Sequence, residues 1–229
     1  MRAPNDLQPP AEATPTPPAE AQASTAQACG TGPVGESASS ARAIPVTCAR
    51  PTRADAARNY DLLVTAAREA FADHGTSTSL EEIARRAGVG IGTLYRRFPT
   101  RTALLEAVYV DEIQSVCDRA YGFSEELPPF EALSAWLHSL ASYAASKHTL
   151  ASELMDALGK DSEFFKACKV NLRDAADLLF GNAKQAGMVR DDVQAMDVLR
   201  LISATHDTDA DQAARLINII LAGLRPQPN

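Results

Sequence analysis

The chain has 229 residues and a formal net charge of −7, with 45% hydrophobic and 22% charged residues. A chain of this length and composition can bury a hydrophobic core and hold one or two globular domains. It contains no run of about 18 apolar residues, which a membrane span requires, and no segment of the secretory-signal type, so we expect a cytoplasmic protein.

Residues 1–52 contain nine of the fourteen prolines and only four large aliphatic side chains. A segment of this composition buries too little apolar surface to offset the entropy that it loses on ordering. We therefore predict that residues 1–52 form a disordered tail. The alternative is an arm that contacts DNA or another protein, although three arginines spread over the segment would bind phosphate poorly.

The next segment, residues 53–113, has the pattern of four helices. Apolar residues at helical spacing predict a first helix over Ala54–His74, and a Ser-x-x-Glu capping box at Ser79 opens a second helix of about eight residues. A glycine-rich turn leads to a third helix over Ile91–Phe98, and Thr100 caps a fourth. Two short helices joined by a tight turn and braced by longer helices predict a helix-turn-helix.

The third helix is the predicted DNA-reading helix. Helical spacing places Thr93, Arg96 and Arg97 on the side opposite the apolar Leu94 and Phe98. A guanidinium can bind guanine O6 and N7 with two hydrogen bonds, and threonine can contact a thymine methyl group or a phosphate. We therefore predict that these three polar side chains face solvent and contact DNA.

The net charge conceals a basic segment. Residues 53–101 carry eight arginines and six carboxylates, whereas residues 102–229 carry eleven basic and nineteen acidic side chains. The window from Arg85 to Arg101 holds five arginines and no carboxylate. Arginines on a helix surface are most often simply solvated, but in a helix-turn-helix they favour double-stranded DNA as the partner.

Three runs of this segment carry a family resemblance: Ala66–Gly75, Thr78–Val89 and Gly92–Leu105, with the core Gly-Thr-Leu-Tyr-x-x-Phe. Together they resemble the N-terminal domain of TetR/AcrR-family transcriptional regulators. The resemblance implies an all-α protein with an N-terminal three-helix helix-turn-helix DNA-binding domain and an α-helical ligand-binding and dimerisation domain. We place these domains at residues 53–113 and 114–229.

The resemblance also implies phosphate and base contacts from the second, third and fourth helices. Two glycines at the start of the third helix would let the backbone approach DNA closely. Gly90 stands where the family often has serine, so the base preference is expected to differ. The predicted DNA-binding set is Thr78, Ser79, Gly90, Ile91, Gly92, Thr93, Tyr95, Arg96, Arg97 and Arg101.

Residues 114–229 show helical periodicity and no segment of period two, which predicts an all-helical domain. Its last helix has a broad apolar stripe, and Ile219 adds apolar area outside that stripe. In the family the last two helices pair between subunits, which implies a homodimer; burial within a monomer is the alternative. The predicted helices lie over Phe130–Ala144, Leu150–Leu158, Phe165–Ala186, about Asp192–Ala204 and Asp209–Leu224. The predicted dimer interface is Leu199, Ile202, Leu216, Ile220 and Leu224.

A regulator of this type needs a second site that a small-molecule effector can occupy. Aromatic and sulfur-containing side chains of the C-terminal domain could line an apolar pocket, although such residues at helical spacing more often form the core. The predicted ligand-binding set is Trp136, Tyr143, Met155, Phe165 and Cys168.

The sequence lacks the motifs of the common enzyme and metal sites. There is no G-x-S-x-G, H-E-x-x-H or Walker loop, and the four cysteines lack C-x-x-C spacing. We therefore predict no enzyme activity, no metal and no cofactor. The predicted function is a dimeric DNA-binding regulator, a repressor that a small molecule releases from its operator. The alternative is a helical domain switched by a partner protein; an enclosed apolar pocket favours the first and an exposed apolar patch the second.

Overall fold

The structure is a computed structural model that describes residues 43–204 and 208–226, except for the side chains of residues 145–148 and 210. The chain divides into two compact units, residues 1–38 and residues 39–229, and everything described here belongs to the second unit. The predicted disorder of residues 1–42 lies outside the described residues.

The described residues contain eight α-helices and no strand, which confirms the predicted all-α fold. We call α1 to α3 with the first half of α4 the head, and the rest of α4 with α5 to α8 the body. The helices are α1 (Ala54–His74), α2 (Leu80–Arg86), α3 (Ile91–Arg97), α4 (Arg101–Glu126), α5 (Pro129–Leu158), α6 (Glu163–Gln185), α7 (Ala195–Ser203) and α8 (Ala210–Leu224).

Local capping explains where several helices begin and end. The Ser79 hydroxyl accepts a hydrogen bond from the backbone N–H of Glu82 at 3.2 Å, and Thr100 accepts one from the amide three residues later at 3.1 Å. Gly75 and Gly187 have φ angles of 76° and 68°, in the left-handed region that favours glycine. They end α1 and α6, as the sequence predicts.

Two helices of the body differ from the prediction. α5 is one helix of 30 residues, whereas the sequence predicts two helices separated after Ala144. The polar run at residues 146–149 interrupts the apolar stripe but contains neither glycine nor proline, so the sequence there has no residue that breaks helical hydrogen bonding. α7 begins at Ala195 instead of Asp192; Asp192 lies in the preceding turn, where its carboxylate accepts from Arg190 at 2.6 and 2.7 Å.

The buried side chains form two hydrophobic cores. The head core is built by α1 to α4, and the body core by α4 to α8. α4 contributes to both, and the domain boundary predicted at residue 113 falls inside this helix. The head core also contains five buried side chains from α5 and α6: Leu150, Leu154, Phe164, Phe165 and Cys168.

The segment before α1 is packed, so the prediction of a disordered tail is wrong for residues 43–52. Ile44, Val46 and Cys48 are half-buried against the cores, and the Thr47 amide and hydroxyl donate hydrogen bonds to the carboxylate of Glu106 at 2.7 and 3.0 Å. The prediction relied on the average composition of residues 1–52, which does not reveal that Ile44, Val46 and Cys48 occupy alternate positions. That alternation places all three on one side of the chain.

Candidate functional site

The helix-turn-helix is built from α2, α3 and the turn between them. In this turn the Val89 amide donates to the Ala84 carbonyl at 3.0 Å, and Gly88 has a φ of 65°. Leu94 and Phe98 on the inner side of α3 have no exposed surface and belong to the head core. This packing fixes which side of α3 points away from the protein.

The outer side of α3 is open. Tyr95 is 45% exposed and Ile91 is 38% exposed, and Arg96 is exposed beside them. Apart from the adjoining chain, no atom of the described residues lies within 4 Å of the position that a Cβ would take at Gly90 or Gly92. Packing within the protomer therefore does not require glycine at these two positions, and a large molecule could approach the backbone there.

Arg97 does not share this outer face, so its predicted orientation is wrong. Its guanidinium lies over the ring of Tyr60, 5.0 Å from the centroid, and 5.9 Å from the centroid of Phe98. Tyr60 belongs to α1, and its ring offers the cation a favourable face. The long side chain turns back toward α1, which spacing along α3 alone could not indicate. Thr93 is only half-buried and stays beside Arg96.

Most of the basic window is neutralised by acids that lie outside it in sequence. Arg85 and Arg86 both bind the carboxylate of Glu82, at 2.7 and 3.0 Å, and Arg86 also binds Asp73 at 2.8 Å. Hydrogen bonds from Arg85 and Arg86 lower the pKa of Glu82 to about 2. Arg96 makes its hydrogen bond to the Thr93 hydroxyl at 3.4 Å and has no ion pair within the part of the chain that the structure describes.

Thr78 and Arg101 differ from their predicted role at the DNA surface. The Thr78 hydroxyl donates to the Gly75 carbonyl at 2.9 Å and lies 3.3 Å from the Ala70 carbonyl, in a residue that is 9% exposed. Arg101 donates to the Thr78 carbonyl at 2.8 Å and to the Glu153 carboxylate at 3.3 Å. The Thr78 hydroxyl is thus used within the head, whereas the Arg101 side chain joins the head to α5. Ser79 remains exposed at the start of α2.

The five residues of the predicted ligand set do not come together. Trp136 is fully buried in the body core, where its indole N–H donates to the Val116 carbonyl at 2.9 Å. Phe165 and Cys168 belong to the head core, and Met155 is 42% exposed. The core alternative therefore holds for Trp136, Phe165 and Cys168, which are buried members of the two cores. Tyr143 is the member that lines a cavity.

That cavity is a polar cleft of about 480 Å³ between α1, α4 and α5. Burial raises the pKa of Tyr143 well above its usual range, so its phenol stays protonated and can donate a hydrogen bond. The cleft brings together side chains that are distant in sequence. The sequence pattern that could have indicated it is the presence of polar residues at i, i+3 and i+4 on helices that are otherwise apolar on that side. It is lined by Arg68, Glu112, Ser115, Arg119, Ser139, Ser142 and Tyr143.

The predicted dimer residues divide into two groups. Leu199, Ile202 and Leu224 are 8%, 1% and 3% exposed, so they are buried within the chain, although Leu224 also reaches the floor of the groove described next. Leu216 and Ile220 are half-buried and line an apolar groove of about 660 Å³ between α7 and α8.

Two exposed side chains complete this groove. Leu201 is 55% exposed and Ile219 is 68% exposed, and both line it. Leu201 is missing from the predicted interface because it lies outside the main stripe of α7. An apolar residue outside the main stripe of a helix indicates a second contact surface, and this pattern, which Ile219 shows on α8, would have identified Leu201 on α7.

The described residues also bear on membrane, metal and thiol chemistry. No helix there is both long and apolar enough to cross a membrane, and no three metal-binding side chains are grouped. Cys48, Cys117 and Cys168 are free thiols, and burial raises the pKa of Cys117 and Cys168 to about 12. These two thiols are therefore protonated at neutral pH and are poor nucleophiles.

Comparison with known proteins gives matches to both parts of the chain. The family model "Bacterial regulatory proteins, tetR family" matches residues 63–108, and the model "Transcriptional regulator SbtR-like, C-terminal domain" matches residues 128–226. A TetR transcriptional regulator from Streptomyces coelicolor is 37% identical with a TM-score of 0.64, over 74% of this chain and 99% of that chain.

Two further solved structures are similar. A TetR transcription regulatory protein from Mycobacterium vanbaalenii is 33% identical with a TM-score of 0.61, over 77% of this chain and 100% of that chain. The regulator FadR from Bacillus subtilis, solved in complex with stearoyl-CoA, is 18% identical with a TM-score of 0.52, over 72% of this chain and 100% of that chain, and so shares the fold. With a helix-turn-helix in its head, a helical body and these relatives, the chain belongs to the TetR family of bacterial transcriptional regulators.

Proposed function

We propose that this chain is a dimeric repressor that binds its operator through α3 and leaves it when a small molecule binds the body. The observation that carries the proposal is the open outer side of α3, where Arg96 and Tyr95 project beside two glycines with free space around them. An exposed guanidinium without an ion pair can bind guanine or phosphate without first breaking a contact.

DNA binding is tested by fluorescence anisotropy on DNA from upstream of the protein's own gene and on scrambled DNA of equal length, at about 50 and 200 mM salt. We expect selective binding that weakens steeply with salt. Arg96→Ala should lower the affinity about 5- to 150-fold, which corresponds to about 1–3 kcal/mol. Arg85→Ala is the matched control, because Arg85 is exposed but paired with Glu82. Equal losses in the two variants would contradict the assignment.

We propose that a second copy of the chain covers the groove between α7 and α8. Its exposed Leu201 and Ile219 support this, because apolar side chains on adjacent helices stabilise a dimer when a partner removes them from water. Dimerisation would place two copies of α3 at a spacing of about 34 Å or a multiple, as adjacent turns of DNA require.

Light scattering on Ile219→Asp tests this assignment. We expect monomers, because the carboxylate would be buried without a partner. Met188→Asp is a control, since Met188 is 41% exposed but does not line the groove. A dimer of undiminished mass in Ile219→Asp would refute the placement.

We propose the polar cleft between α1, α4 and α5 as the effector site. Its hydroxyl, guanidinium and carboxylate groups favour a small polar molecule with several hydrogen-bonding groups. The fold is compatible with an effector, because FadR of the same fold was solved with stearoyl-CoA. A panel of sugars, amines and carboxylates would be screened by thermal shift on the wild type, on Ser139→Leu and on Ser134→Leu.

Ser139 lines the cleft, whereas Ser134 is on the same helix outside it. A compound that uses the cleft should raise the melting temperature of the wild type and of Ser134→Leu but not of Ser139→Leu. A shift that persists in Ser139→Leu would place the effector elsewhere.

One observation favours the alternative of a partner protein as the switch. Trp136 and Phe165, both predicted to line an apolar pocket, are packed in the cores, and the groove between α7 and α8 is an exposed apolar surface. If light scattering finds wild-type monomers at micromolar concentration, the groove is free for another protein and this alternative is preferred.

A further inference from the structure

The segment from Ala43 to Arg50, which we call the strap, crosses the junction between α1 and α4. Its partners come from three separate places in the fold: the first half of α4, the middle of α1 and the body core. The helices of the head and body are otherwise joined by α4, by the packing of α5 and α6 on the head, and by the ion pair between Arg101 and Glu153 of α5. The strap is therefore an additional connection between them.

The centre of the strap is Thr47. Its backbone N–H donates to one carboxylate oxygen of Glu106 at 2.7 Å, and its hydroxyl donates to the other at 3.0 Å. Glu106 is 4% exposed and lies on α4 among residues of the head core. A buried carboxylate is costly unless hydrogen bonds compensate it, and here the strap supplies two of them.

The two ends of the strap bind different parts of the protein. Ile44 is half-buried and packs against both the head core and the body core. At the other end Arg50 forms a two-point ion pair with Asp61 of α1, at 2.7 and 2.6 Å. That pair is exposed, so we assign most of the holding strength to Thr47 and to the apolar contacts of Ile44 and Val46.

We propose that the strap is a latch that fixes the head relative to the body, so that its release lets the head move. The docked strap ties the carboxylate of Glu106 and both cores to one segment of chain. When the strap leaves, Glu106 loses two donors and Ile44 no longer bridges the cores. The consequence for DNA binding rests on the proposed function, but the mechanical role does not.

Hydrogen exchange read by mass spectrometry on the full chain tests the latch. In the wild type the Thr47 amide should be protected, because it donates to Glu106. Thr47→Val removes the hydroxyl donor with little change of shape, and Ile44→Asp removes the apolar bridge. We expect amides of α1 and the first half of α4 to exchange about tenfold faster in both variants, with α8 unchanged.

Ala49→Ser is the matched control, because Ala49 is an exposed residue of the strap without a described side-chain contact. Exchange in the head that stays within about twofold of the wild type in both variants would overturn the proposal. So would an unprotected Thr47 amide in the wild type, since the strap would then be undocked in solution. Thr47→Val retains the backbone and the core, so the test does not depend on Ile44→Asp remaining folded.

The same variants distinguish this inference from the proposed function. If the head carries the DNA site, loosening it should change the anisotropy affinity by about threefold or more, since a mobile head must be ordered again on binding. A wild type that binds no DNA selectively would count against the proposed function. The exchange result would still decide whether the strap is a latch.

Discussion

Arginines near α3 are exposed on its outer side or paired within the protein, and the two groups differ in whether they can bind another molecule. Arg96 on the outer side is exposed and has no ion pair among the described residues. Arg86 and Arg101, close to it in sequence, bind carboxylates and carbonyls of the head and α5. Local basic charge therefore does not by itself single out a candidate DNA contact, whereas an exposed guanidinium without an ion pair is a candidate that can be tested.

The largest expected effect lies on the inner side of α3. Leu94→Ala should lower the free energy of unfolding by about 2–5 kcal/mol, because Leu94 is fully buried and the head core cannot collapse completely around the cavity. Urea denaturation followed by circular dichroism measures it. A loss below about 1 kcal/mol would mean that α3 is not packed as described.

On the outer side, Gly92→Ala should separate DNA binding from stability. A methyl group at this position meets open space within the described protein, so stability should hold or rise by up to about 1 kcal/mol. If DNA approaches the backbone here, the affinity should fall about fivefold or more, equivalent to about 1 kcal/mol. Unchanged affinity would show that the DNA backbone or bases do not come close to Gly92.

Arg97 sharpens the comparison, because it is on α3 but packs on Tyr60. Arg97→Ala should lower the free energy of unfolding by about 0.5–2 kcal/mol through the lost cation–π contact. Its effect on DNA affinity should be smaller than that of Arg96→Ala. Thermal denaturation and anisotropy on the same two variants test this, and a reversed order would return Arg97 to the DNA-contacting set.

The smallest effect concerns pH. Hydrogen bonds from Arg85 and Arg86 lower the pKa of Glu82 to about 2 from an ordinary value of 4.5. The ionised carboxylate therefore stabilises the fold above pH 4.5, and this contribution is lost as the pH falls toward 2. The difference in melting temperature between the wild type and Glu82→Gln should shrink over that interval. A titration of Glu82 by NMR near its ordinary pKa would contradict the pairing.

The head was largely predictable from the sequence because its signals are local. The bounds of α1, its end at Gly75 and the cap at Ser79 follow from spacing and capping within a few residues. The inward side of α3 follows from the i, i+4 pair Leu94 and Phe98. The predicted helix-turn-helix and the family are confirmed by the structure and by the matches.

The features that the sequence did not predict depend on partners distant along the chain. Arg86 is neutralised by Asp73, which lies outside the basic window, and Arg97 turns toward Tyr60 of another helix. The polar cleft combines side chains from three helices. The packing of the strap depends on the alternation of three apolar residues around Thr47, which averaging over 52 residues removes.

The head core includes side chains from the body, and this limits the construction of chimaeras that combine this head with the body of another regulator. Five buried side chains of α5 and α6 complete that core, so a chimaera joined at residue 113 would place a foreign surface against Leu104 and its neighbours. Compatible chimaeras must transfer the complementary residues of the body with the head. They are Leu150, Leu154, Phe164, Phe165 and Cys168.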